Sequence, residues 1–122
     1  MFSDEQILIA INAVRTRDFF YEHSDCVRIA YQWLDAQVKM RSTSRQFRCL
    51  KNYIERWAGR YVSATDVEAA AFLHPGVKGE YPYYNIGVRL IEPDLSRLTD
   101  IAEAFTQGYR CRHDPRIFAR KE

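Results

Sequence analysis

Apolar residues recur at helical spacing through most of this chain, and the pattern predicts a run of helices. The first spans residues 4–16. Ser3 and Gln6 are placed for a capping box, Phe2 and Ile7 for a hydrophobic staple, and Ile7, Ala10, Ile11 and Val14 form the stripe. A second helix is expected over 24–40. It carries two stripes, Val27, Ala30, Tyr31, Leu34 and Val38, then Cys26, Ile29, Trp33, Ala36 and Met40. An arc that wide belongs to a helix packed on more than one side, so this is the expected centre of the domain.

A third helix is expected after the turn at 41–44, with Thr43 and Gln46 as a second capping box and Gly59 as its stop. Phe47, Leu50, Ile54, Trp57 and Ala58 make its apolar stripe. A short fourth helix follows over 64–73, capped by Ser63 or by Thr65 with Glu68, and Val67, Ala70 and Ala71 face inward. His74-Pro75-Gly76 ends it, because the residue before proline is pushed out of the helical region. Residues 85–91 are ambiguous. Ile86, Val88 and Leu90 alternate as in a strand, yet Asn85 suits a helix cap, and the helix is the favoured reading. A last helix is expected from Pro93 or Asp94 to residue 107, on Leu95, Leu98, Ile101, Ala102 and Phe105, with Gly108 as its stop. The expected fold is all-α: one compact domain of five to six helices over 1–108, packed around helix 24–40, then a basic tail over 109–122 with the composition of a partly disordered segment.

Charge adds a partner to this picture. Between Ala36 and Val62 lie Lys39, Arg41, Arg45, Arg48, Lys51, Arg56 and Arg60 against one acid, Glu55, a formal +6 where the other 95 residues carry −4. At 100° per residue, Arg41, Arg45, Arg48, Asn52 and Arg56 fall opposite the apolar stripe of the third helix. A basic helix face suits a polyanion or an acidic protein. The leading expectation is a non-catalytic nucleic-acid binder, DNA before RNA, using Arg41, Arg45, Arg48, Lys51, Asn52, Arg56 and Arg60, with Asn85 and Arg89 reaching bases. The alternative is an interaction module, an inhibitor or adaptor of the bacterial or phage accessory type, holding an acidic protein. It would use the same basic face and the loop at 74–85, where Lys78, Tyr81, Tyr83 and Tyr84 offer a hot-spot composition.

The segment 43–91 resembles a helix-turn-helix unit on the alanine-rich TDVEAAAFL followed by NIGVRL. The resemblance implies that the third helix supports the fourth and that the piece from Asn85 is the recognition helix. The connection of about ten residues departs from the usual three or four.

Other chemistry has little to stand on. No glycine-rich phosphate loop, nucleophile elbow or His-Glu-x-x-His occurs, which points away from catalysis, and His74 is the one conceivable general base. His23, Cys26, Cys111 and His113 match no strong zinc spacing, so no metal and no cofactor are expected. Three irregularly spaced cysteines, no secretory pattern and no apolar run of membrane length give the expectation of a reduced, cytoplasmic protein without a membrane partner.

Overall fold

The computed structural model describes residues 2–14 and 21–122. Among these, the α-helices are α1 (Asp4–Ala13), α2 (Ser24–Asp35), α3 (Leu50–Ala58) and α4 (Ala64–Leu73). The rest is built from two-residue strands and 3-10 turns. The strands are β1 (Gly79–Glu80), β2 (Tyr83–Tyr84), β3 (Ile91–Glu92) and β4 (Arg120–Lys121). β1 and β2 pair antiparallel, β3 and β4 parallel. The expected all-α domain of five to six helices is thereby corrected to four α-helices carrying an irregular, partly extended second half.

α1 and α4 begin as their sequences dictate. Ser3 and Gln6 close a capping box, and Ser63 closes another, with Asp66 rather than through Thr65 and Glu68. α4 packs against both α1 and α2, and α3 lies against α2. Eight of the twelve residues of α2 are buried, including Trp33 and Leu34, so this helix is enclosed on several sides. Leu50, Ile54, Trp57 and Ala58 of α3 and Val67, Ala69 and Ala70 of α4 complete the core. α1 ends at Ala13, and residues 15 and 16 of the expected helix lie outside the described ones.

Three expected helical stretches give way to irregular backbone. α2 stops at Asp35, five residues early. Gln37 turns in instead: its amide donates to Trp33 and Ile91 carbonyls at 3.1 and 2.8 Å and accepts from Ile91 N–H at 2.9 Å. That tether holds β3 against the end of α2. Val38 and Met40, expected in the core, are exposed. α3 starts at Leu50, because residues 38–44 run extended alongside 84–87. The Thr43–Gln46 box does not form; Ser44 caps Gln46 instead, and Phe47, expected inside, is 64% exposed.

The last expected helix is the 3-10 turn Leu95–Leu98 followed by further three-residue turns. Its buried positions, Leu98, Ile101 and Ala104, are three apart, which suits the 3-10 period rather than 3.6. Phe105 N–H and Gln107 N–H then reach the Ala58 and Gly59 carbonyls at the end of α3. Residues 85–91 are not a helix. Ile86 bridges Lys39, Ile86 and Leu90 are buried, and Val88 between them is exposed. Residues 109–122, read as a tail, are laid back along the body: Phe118 is buried 6.4 Å from the Trp33 ring, and Ala119 N–H binds the Leu90 carbonyl at 2.7 Å.

Two measurements follow from this core. Trp33→Ala or Leu34→Ala costs about 2–5 kcal/mol in urea unfolding, from lost burial plus a cavity. A loss below about 1 kcal/mol at both sites is incompatible with an enclosed α2. Asp66 is fully buried, and its Oδ1 has no hydrogen-bond partner among the described residues. Burial lifts its carboxyl to about 6, against the opposing bonds from Ser63. Between the ordinary carboxylate value and about 6 the folded chain holds a proton that the unfolded chain lacks. Stability conferred by this group therefore grows as pH falls from about 6 towards 4. Asp66→Asn keeps a capping oxygen and flattens that slope in denaturation curves taken across the window.

Candidate interaction surface

The extended segment after α2 and the one after β2 form a short antiparallel ladder. Met40 N–H donates to the Asn85 carbonyl at 2.7 Å, Gly87 N–H to the Val38 carbonyl at 2.9 Å, and Ser44 N–H to the Tyr84 carbonyl at 3.0 Å. Asn85 is buried and locks the ladder to the loop before it. Its side-chain oxygen accepts from Lys78 N–H at 2.7 Å, and its amide donates to the Met40 and Gly76 carbonyls at 2.9 and 3.1 Å. The hairpin β1–β2 follows from the same loop, with a cis Tyr81–Pro82 bond at its tip. Gly79 has φ +114°, and a Cβ there would lie 2.4 Å from the Tyr83 carbonyl oxygen, so only glycine fits.

Arg48 crosses under this ladder. Its guanidinium donates to the Gly87 and Ile86 carbonyls at 2.8 and 3.0 Å, and the residue is only 7% exposed. Burial lowers its pKa, with the Tyr53 phenol as a smaller opposing influence, and no carboxylate pairs with it among the described residues. It clamps backbone and is closed to any phosphate.

The rest of the predicted basic face disperses in the same way. Arg60, 3% exposed, reaches Glu22 at 2.6 Å and Glu103 at 3.0 Å. Burial works against its charge, but Glu103 first and Glu22 after it outweigh that and raise its pKa. Lys51 pairs with Glu55 at 3.5 Å and sits 5.0 Å above the Tyr61 ring. Asn52 and Arg56 are half-buried on α3, while Arg41 and Arg45 stand exposed on the loop before it, not on its face. Asn85 is a backbone staple and not a base reader, and Arg89 is exposed at a bend and not on a recognition helix. Of the loop residues, Lys78 and Tyr83 are exposed, Tyr81 is half-buried and Tyr84 is buried.

The ladder and the chain flanking it carry four exposed large apolar side chains. Val38, Met40, Phe47 and Val88 are 47%, 52%, 64% and 67% exposed. Val38 and Met40 lie on the first strand of the ladder, Val88 follows the last bonded residue of the second, and Phe47 precedes Arg48 in the chain. A Cβ on Gly87 would lie 3.8 Å from both the Val38 Cβ and the Met40 sulfur. Arg41 and Arg89 follow directly on Met40 and Val88 in the chain, Arg45 lies two residues before Phe47, and all three are exposed. The surface is thus apolar with an arginine border. Sequence reasoning missed it because helical stripes claimed Val38, Met40 and Phe47 for the core. The signal was present: Val38-Lys39-Met40-Arg41 alternates with the period of a strand.

The other weighed chemistry finds its groups already engaged. His74 accepts from Gly76 N–H through Nδ1 and lies 2.9 Å from Asp35 through Nε2. Cys26 is buried on the Tyr61 carbonyl, His113 lies 2.6 Å from Glu92, and no cluster of three or more metal-ligating groups converges among the described residues. None of their helices is long and apolar enough to cross a membrane.

Arg48→Ala leaves two buried carbonyls without a donor and is expected to cost about 2–3 kcal/mol by chemical denaturation. Arg41→Ala and Arg45→Ala stay within about 0.5 kcal/mol of the parent. Equal, small effects at all three would mean that Arg48 is a surface residue after all. No family model, curated protein or solved structure matches this chain, so the geometry described above is the ground on which its function is argued.

Proposed function

We propose that the protein is a non-catalytic interaction module that binds an acidic protein partner through the arginine-bordered apolar surface of Val38, Met40, Phe47 and Val88. One observation carries the reading: four large apolar side chains are exposed on and beside a short ladder that internal hydrogen bonds already hold in place. An exposed apolar patch with a polar border marks a contact site, and Met, Phe and Arg are residues that interfaces favour. A preformed backbone lowers the ordering cost on binding. Arg41, Arg45 and Arg89 supply charge complementarity to carboxylates, which speeds encounter and fixes orientation.

The nucleic-acid reading loses ground on the same residues. Arg48 and Arg60 are buried and Lys51 is paired, which removes three of the six cations counted on for phosphates. What remains surrounds an apolar centre that offers phosphate oxygens nothing. Free Cys49 and Cys111 on the surface suit a reducing compartment, and the cytoplasm is where we place its work.

The test is affinity capture from the native host with the wild type, with Met40→Glu/Val88→Glu, and with Ile9→Glu as an exposed control on α1. The expected result is an acidic protein held by the wild type and the control and lost by the double variant, with salt weakening the complex. Capture unaffected by the double variant rejects this surface. A shift of duplex DNA by the wild type at low salt, abolished by Arg41→Glu/Arg45→Glu/Arg89→Glu, restores the nucleic-acid reading.

A further inference from the structure

A second, oppositely charged feature lies between α4 and the β1–β2 hairpin. A cleft of about 500 Å³ is bounded by Val14 after α1, by Glu68, Ala71 and Phe72 on α4, and by Val77, Glu80, Tyr81 and Tyr84. Among the described residues it is lined by two carboxylates and no cation. Neither Glu68 nor Glu80 has an ion-pair partner among the described residues, and the charge of Glu80 adds to burial in raising the Glu68 pKa.

The cleft's inner wall makes an independent point. Tyr84 is 3% exposed, lines the cleft, and its hydroxyl has no hydrogen-bond partner among the described residues. That hydroxyl is not one of the enclosed unpartnered atoms, so it opens onto the cleft. Tyr81 stands against the Tyr84 ring edge to face, with ring centres 6.3 Å apart. Among the described residues, the cleft therefore offers aromatic walls, a hydroxyl open to it and two carboxylates without an ion partner.

We propose that this cleft is a binding site for an alkylammonium group, presented as a lysine side chain on a basic segment of a partner protein. The methylenes of such a chain lie along Phe72, Val77 and the tyrosine rings, as long cationic side chains do on apolar surface. The ammonium head, with three donors and no preferred plane, satisfies two carboxylates and a hydroxyl at once, whereas a guanidinium suits a single carboxylate in its own plane. Aromatic faces add cation–π attraction. This site is independent of the arginine-bordered surface, so either proposal stands or falls without the other.

The experiment is a titration of the isotope-labelled full chain, followed through the amide signals of Ala71, Val77, Gly79 and Tyr81. The probes are Nα-acetyl-lysine methylamide, 1,5-diaminopentane, and acetyl-norleucine methylamide as the uncharged counterpart. Saturable shifts with the lysine probe and none with norleucine are expected. Affinity should fall at least about tenfold in Glu68→Gln/Glu80→Gln, because a partly buried cation loses both counter-charges. It should fall severalfold in Tyr84→Phe, which keeps the ring and removes the hydroxyl that opens onto the cleft. Thermal melting of both variants monitors the fold, and the double glutamine variant melts no lower than the parent because like-charge repulsion is removed. Equal response to norleucine, no saturable shift with either amine, or full retention in the folded double variant overturns the site. Binding of the diamine with exclusion of the lysine probe overturns the protein source.

Discussion

Every buried peptide group needs a hydrogen-bond partner, and the second half of this chain meets that demand without long helices or sheets. The partners are supplied one at a time. Asn85 joins Lys78, Gly76 and Met40; Gln37 joins the end of α2 to Ile91; Arg48 takes two carbonyls; Trp57 Nε1–H donates to the Pro93 carbonyl at 3.0 Å. Remove these side chains and the segments from 36 to 49 and from 74 onward keep only their backbone bonds and apolar anchors such as Ile86, Leu90, Leu98 and Phe118 to hold them to the helical core. The ladder, its exposed apolar residues and the cleft beside the hairpin all sit on chain that is fixed in this way.

That arrangement explains which parts of the fold the residues announced. α1 and α4 were legible because their start signals are local: a serine, and an acceptor three residues on. The core of α2 was legible from Val27, Ala30, Trp33 and Leu34. Its end was not, because Val38 and Met40 continue the helical stripe, while the residue that ends the helix, Gln37, acts through a contact 54 positions away. The final segment failed for a subtler reason. Leu98 and Ile101 fit periods of 3.0 and 3.6 alike, and the tighter turn is decided by the need to bring Phe105 and Gln107 onto the end of α3.

The site was less legible than the fold. Charge alone placed seven cations in one stretch, four of them on one expected helix face, but charge does not say which cations are buried. Arg48 and Arg60 were drawn inside by carbonyls and carboxylates far along the chain, and no local pattern marks them. The tyrosine loop was read as an interaction loop, and the structure exposes Tyr83 and buries Tyr84, yet the acids beside it went unremarked because Glu68 looked like a helix-capping residue.

Arg48 also ties the order of the surface to the opening of the molecule. Its guanidinium lies beneath Ile86 and Gly87, so the ladder separates only if Arg48 gives up both carbonyls. The amides of Met40 and Gly87 consequently belong to one cooperative opening unit, and would exchange with solvent hydrogen together rather than fraying singly from an edge. Substitution of Arg48 would therefore loosen Val38 and Met40 on the ladder without altering either side chain.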